Sequence, residues 1–128
     1  MGFILDARAE KNLIGVHKDL VKVVRKAITT SPIEFTITEG VRTLARQKQL
    51  LAAGATRTLN SRHITGHAVD VAAKVGNTVR WDWPLYEKIA AYMLDAAEEL
   101  SIPVIWGGSW KTFKDGPHFE LDIKTYPA

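Results

Sequence analysis

The segment that most restricts the fold is His67 to Val75, where Ala68, Val69, Val71 and Ala72 surround a single carboxylate, Asp70. Such an apolar run, bounded by a turn signal at Gly76-Asn77, reads as a largely buried strand. An ionised carboxylate inside it costs on the order of several kcal/mol unless it is paired, hydrogen-bonded or bound to a metal. The rest of the chain must therefore cover this strand and also supply a partner for Asp70.

Covering elements are readable on both sides of it. From about Ala7 to Thr30, Leu13, Val16, Leu20, Val23, Val24, Ala27 and Ile28 recur at spacings of three and four, which predicts one amphipathic helix. Ser31-Pro32 ends it, because the residue before proline avoids the helical region. Phe35 to Glu39 alternates and is rich in β-branched residues, so it reads as a strand. Thr43 is placed to cap a second helix over Leu44 to Ala53, with Gly54 as its stop. Residues 55 to 62 read as a polar loop. A third helix begins at Asp82, with Pro84 in its first turn, and runs to about Leu100. Ile102 to Trp106 and His118 to Leu121 read as short strands separated by the turn Gly107-Gly108-Ser109. With 128 residues and no internal repeat, the whole of 1–128 is expected to be one domain. The expected class is α+β, a small and mainly antiparallel sheet flanked by about three helices.

The chain has no cysteine, so any metal must be held by His, Asp or Glu. His17, inside the first predicted helix, has no ligand pattern around it. His63 and Asp70 stand seven apart, a spacing that can fold a loop histidine back over a strand carboxylate. Metal binding and a buried Asp70 that accepts backbone hydrogen bonds both remain open from this segment alone. His67 competes with His63 as a ligand, since the two have the i, i+4 spacing of paired zinc ligands on a helix. Gly66, however, disfavours a helix there. His118 lies in Asp115-Gly116-Pro117-His118-Phe119-Glu120, where a strand would turn His118 and Glu120 to the same face. Taken alone, that segment is equally a polar hairpin. The two segments together say more. His63, Asp70 and His118 supply the three protein ligands of an open catalytic site, with Asp115 as general acid or base and Glu120 as the reserve proton carrier. Arg42, just beyond the first strand, is suited either to binding a substrate carboxylate or to a surface salt bridge.

At these residues the chain resembles a known family. Ser61 to Asp70 fits Ser-x-His-x-x-Gly-x-Ala-x-Asp in full, and Asp115-x-x-His118 fits the second half of the same signature. The sequence is similar to the LAS-type zinc peptidases, grouped with D-Ala-D-Ala carboxypeptidases of the VanY type. Within them it most resembles the small phage endolysins that are L-alanyl-D-glutamate endopeptidases. The resemblance runs over nearly the whole chain, including Gly40-Val41-Arg42-Thr43 with Gln47. It implies a Hedgehog/DD-peptidase-like fold, Zn2+ held by His63, Asp70 and His118, and Asp115 as the catalytic carboxylate. Arg42, Ser61 and Gln47 match substrate-binding or site-supporting positions, and His67 falls at a variable place. Aspartate at position 115, where carboxypeptidase members carry glutamate, favours the endolysins. Pro117 departs from the glycine that relatives often have and stiffens the turn before His118.

A net charge of +3 favours polyanionic surfaces in general, but no dense Lys/Arg run or stacking platform supports nucleic-acid binding. The residues Met1 to Asp6 do not read as a signal peptide, and no stretch is long and apolar enough to span a membrane. Synthesis in the host cytoplasm is expected, with a holin delivering the protein to the periplasm and cell wall, where the peptidoglycan stem peptide is the substrate. A monomer without a separate wall-binding domain is expected. The competing readings are a D-Ala-D-Ala carboxypeptidase, which the absent export signal disfavours, and a non-catalytic zinc-stabilised wall-binding module, which Asp115 disfavours. A two-histidine, one-carboxylate set also suits iron, and the resemblance decides for zinc.

Overall fold

The amphipathic stretch from Ala7 to Thr30 forms two helices rather than one. In the computed structural model, which describes residues 2–56, 61–112 and 114–127, α1 spans Ala7–Asn12 and α2 spans Lys18–Thr30. The Asp6 carboxylate caps α1 by accepting the Ala9 amide. His17 is the N-cap of α2, its Nδ1 accepting the Asp19 amide at 3.1 Å, and so lies outside the helix in which the sequence placed it. The apolar stripe continues across the break, which is why periodicity alone did not find it. The break itself follows from Gly15, whose φ of +84° only glycine adopts without strain. It also serves the site. The His17 amide donates to Gly66 O at 2.8 Å, which pins the 61–67 turn against the start of α2.

The remaining elements are β1 (Phe35–Glu39), α3 (Leu44–Ala52), β2 (Ala68–Val75), β3 (Thr78–Arg80), α4 (Trp83–Glu99), β4 (Val104–Trp106) and β5 (His118–Leu121), with a 3-10 turn at Gly107–Ser109. Thr43 caps α3 as expected, its Oγ1 accepting the Arg46 amide. Of the polar loop expected at 55–62, residues 57 to 60 lie outside the described residues. Strand β3 was not anticipated. It pairs with the end of β2 through a two-residue turn at Gly76-Asn77, the hairpin that this dipeptide favours. The split of the first helix brings the helix count to four among the described residues.

The sheet is antiparallel throughout, in the order β1-β2-β5-β4, with β3 on the far end of β2. Its two faces do different work. Val69, Val71, Ala73, Phe119 and Leu121 join Phe35 and Ile37 in a core closed by α2 and α4 through Leu20, Val23, Val24, Ile89 and Met93. Each such buried side chain stabilises the fold by roughly 1.5–3 kcal/mol. On the opposite face β2 and β5 place Asp70 across from His118, and Ala68 across from Glu120. One face thus fixes the strands while the other presents polar groups to a cavity.

Candidate active site

Strand pairing brings the distant segments together. Asp70 and His118 are register partners on β2 and β5. The third member, His63, arrives from the turn before β2. That turn closes on itself: the His63 amide donates to Ser61 Oγ and its carbonyl accepts the amides of Arg42 and Gly66. His63 Nε2 lies 3.1 Å from Asp70 Oδ1 and 3.2 Å from His118 Nδ1, and His118 Nδ1 lies 3.5 Å from Asp70 Oδ1. One potential ligand atom from each residue falls within 4.8 Å of the others. Both histidines are buried.

The outward nitrogens decide which atoms face inward. His63 Nδ1 lies 2.9 Å from Gly40 O, and a carbonyl can only accept, so that nitrogen carries the proton. His118 Nε2 donates in the same way to Glu120 Oε1 at 2.8 Å. The inward nitrogens therefore present lone pairs to one another and to the Asp70 carboxylate. Three electron-pair donors converging this closely need a proton or a cation between them. Two imidazoles and a carboxylate, each imidazole held by an outer acceptor, are a donor set that fits a divalent transition metal. Without one, a proton bridges the site. Burial alone would lower the His118 pKa, but contacts with Asp70 and Glu120 outweigh it and push it up to about 9. Asp70 is held below the usual carboxylate range, its burial outweighed by His118 and His63.

Gly40 is required by packing. A Cβ there would sit 1.9 Å from the Asn12 carbonyl oxygen, so only glycine lets β1 pass the end of α1 and offer its carbonyl to His63.

Arg42 is not on the surface, and the surface-salt-bridge reading is corrected on that ground: the side chain is buried. Its Nε and Nη2 donate to both Glu39 oxygens, Nη1 donates to Gln47 Oε1, and Nη2 reaches Asp70 Oδ2 at 3.4 Å. A β-bulge makes this possible. The pairing shifts between Ile37↔Val71 and Glu39↔Asp70, so β1 carries one extra residue and Glu39 comes level with Asp70. Arg42 then sits between two carboxylates. Gln47 is fully buried behind it, its Nε2 donating to Thr56 Oγ1.

These groups line a cavity of about 560 Å³, which also takes in Ser61, Asp115 and Trp110. Asp115 is placed by the amide bond it donates to Gly107 O and by the His118 amide it receives on its own carbonyl. Burial and the nearby Asp70 charge raise its pKa, which moves a carboxyl group toward useful proton exchange near neutrality. The Trp110 ring centre is 5.2 Å from that of His118 and forms part of the wall. His67 points elsewhere: its Nδ1 is 2.7 Å from Thr65 Oγ1 and its ring packs 5.5 Å from His17. Pro117 passes its carbonyl to the Val71 amide and so extends the β2–β5 pairing into the turn.

Three participants escaped the sequence reading in these roles. Glu39 partners Arg42, Glu120 is the acceptor of His118, and Arg62 lines the cavity beside Glu120. The opposite charges of Glu39 and Arg42 across a glycine turn were the available signal for the first. Nothing in the sequence marked Arg62 apart from its place next to His63.

The chain is similar to known proteins over nearly its whole length. The family described as phage L-alanyl-D-glutamate peptidase matches residues 1–126. The chain is 34% identical to the L-alanyl-D-glutamate peptidase of Escherichia phage T5, over 98% of this chain and 94% of that one. It is 30% identical to the peptidoglycan L-alanyl-D-glutamate endopeptidase CwlK of Bacillus subtilis, over 91% of this chain and 77% of that one. Among solved structures, the Serratia marcescens L-Ala D-Glu endopeptidase ChiX superposes with a TM-score of 0.92 at 52% identity, covering 98% of this chain and 95% of that chain. With the match spanning almost every residue, the chain belongs to the phage L-alanyl-D-glutamate peptidase family.

Proposed function

We propose that this chain hydrolyses the L-Ala–D-Glu bond of the peptidoglycan stem peptide, with His63, Asp70 and His118 holding Zn2+ and Asp115 carrying the proton. The observation that carries the reading is the meeting of those three donors with a raised-pKa carboxyl group in one open cavity. Zinc held by His63, Asp70 and His118 would supply Lewis acidity for a water and for the scissile carbonyl. Asp115 takes the proton from the attacking water and returns it to the departing D-Glu nitrogen. Arg42 keeps Asp70 and Glu39 in place and gives the cavity wall a positive charge for a substrate carboxylate, with Gln47 bracing it from behind. Ser61 uses its oxygen to fix the His63 amide, which leaves its O–H to donate toward substrate.

The biological setting we infer is host lysis by a phage endolysin acting as a single-domain monomer. The chain would be made in the host cytoplasm, released past the membrane by a holin, and active in the periplasm and wall. No helix among the described residues is long and apolar enough to cross a membrane, so passage by another protein is consistent with this setting. The test is digestion of purified peptidoglycan, with and without a chelator, and identification of the new ends by mass spectrometry. Chelator-sensitive release of L-Ala carboxyl ends and D-Glu amino ends is expected. Loss of terminal D-Ala alone would replace the proposal with a carboxypeptidase, and no cleavage would replace it with a wall-binding module.

A further inference from the structure

Arg62 carries a half-buried guanidinium with no part in the proposed reaction. It precedes His63 in the chain and lines the same cavity. Its Nη2 donates to the carbonyls of Leu121 at 3.1 Å and Tyr126 at 2.6 Å, which ties the end of β5 and the C-terminal turn to the 61–67 turn. Those bonds account for one nitrogen. The other two, Nε and Nη1, are shut off from solvent and have no hydrogen-bond partner among the described residues. A structural clamp for the C-terminus would not need them placed where they are. Nε faces Glu120, whose Oε2 lies 4.0 Å away. The other oxygen of Glu120 accepts the Nε2 proton of His118. Arg62 and His118 are the basic groups within ion-pair distance of Glu120 among the described residues.

We propose that Arg62 is a positioning residue for metal binding: it holds the Glu120 side chain against His118, and so keeps His118 Nδ1 turned toward Asp70 and His63. The inference rests on the proposed metal site and deepens it. The guanidinium lies beside Oε2 of Glu120 while Oε1 accepts from His118, so the carboxyl group is held from both sides. With Oε1 of Glu120 on Nε2 at 2.8 Å, the ring is held with Nδ1 toward His63 and Asp70. Without Arg62, Glu120 loses the group behind it and is free to turn away, and the ring loses the acceptor that fixes its orientation. Outer acceptors of this kind set the affinity of a ligating histidine. Arg62 would thereby make the hold on the metal depend on how the C-terminal turn is seated, since the same side chain grips Tyr126 O.

The test is a double-mutant cycle on zinc affinity, measured by competition with a chromogenic chelator in the purified full chain. Arg62→Met and Glu120→Gln are each expected to weaken zinc binding by about 10–100-fold. The double variant should be no weaker than the worse single one, because Arg62 acts through Glu120. Zinc affinity unchanged in Arg62→Met, or effects that multiply in the double variant, overturns the inference and leaves Arg62 as a C-terminal clamp. Glu120→Gln keeps the bonds to Leu121 O and Tyr126 O, so it decides the matter even where Arg62→Met fails to fold: unchanged affinity there overturns the relay as well. Wild-type digestion of peptidoglycan is measured alongside. A wild type that cuts in a chelator-sensitive way while the variants bind zinc normally removes this inference alone. A wild type with no such cleavage removes the proposed function, whatever the variants bind.

Discussion

Stripped of metal, the protein should lose stability as the pH rises from near neutral to alkaline, and metal should abolish that dependence. His118 lies between Asp70 and Glu120, and its pKa is raised from 6.5 to about 9. A raised pKa means that the folded state binds this proton more tightly than the unfolded chain does. The stabilisation is therefore complete below about pH 6.5, declines through the interval, and is gone above about pH 9. A rise of this size is worth about 3 kcal/mol, or roughly 10 °C in Tm for a domain of this length. Asp70 does not interfere, because its pKa is depressed and its contribution is lost only as the pH falls into the acid range. Asp115 is raised instead, and an Asp115→Asn background removes its titration from the curve. The assay is urea unfolding at pH 6, 7.5 and 9.5, with chelated and zinc-loaded samples side by side. The chelated protein should lose about 3 kcal/mol across the series. The zinc-loaded protein should stay nearly flat, because the ring nitrogen no longer takes up a proton, and zinc affinity itself should climb with pH as that proton stops competing. A chelated protein equally stable at pH 6 and 9.5, or a zinc-loaded one with the same slope, refutes the view that His118 Nδ1 is the atom shared between proton and metal.

Other consequences can be checked one residue at a time. Asp115→Asn should keep its zinc, by elemental analysis, while kcat falls roughly 10²–10⁴-fold; a near-normal rate would remove Asp115 as the proton carrier. His63→Ala or His118→Ala should lose both zinc and activity and melt at lower temperature, since the metal ties the 61–67 turn to β2 and β5; unchanged zinc content would break the ligand assignment. Arg42→Met leaves Glu39 and Asp70 side by side with no cation between them, and should cost about 3–5 kcal/mol in denaturant unfolding. If stability holds and only KM rises, Arg42 serves the substrate alone. Gly40→Ala places a Cβ 1.9 Å from Asn12 O and should destabilise by about 1–3 kcal/mol or more, read as a fall in Tm.

The three residues of the candidate metal site were readable in the sequence because each carried a local signal. Asp70 was a charge in an apolar strand, His63 stood three residues before Gly66 and seven before Asp70, and His118 followed Gly116-Pro117 between two carboxylates. Periodicity likewise placed β1, α3 and α4, whose residues need only match one face to the core. It failed at Gly15, because Leu13, Val16 and Leu20 keep helical spacing across a turn that only the close approach of Gly40 and Gly66 demands. It failed again at Arg42 and Glu120, for a related reason. Whether a charged side chain lies on a surface or inside a site depends on which strand edge it faces, and that depends on register. One extra residue at the bulge in β1 brings Glu39 level with Asp70 and gives Arg42 two carboxylates to join. One pairing between β2 and β5 sets Glu120 across from Ala68, close enough to hold His118 and near the arginine that follows Ser61. Neither register leaves a mark on composition or spacing. The candidate metal donors come from residues whose chemistry is visible one at a time, whereas the groups around them are fixed by strand pairing between segments about 30 to 60 positions apart. A search for supporting residues in a chain of this kind should begin from the ladder partners of the ligands and only then turn to the sequence around them.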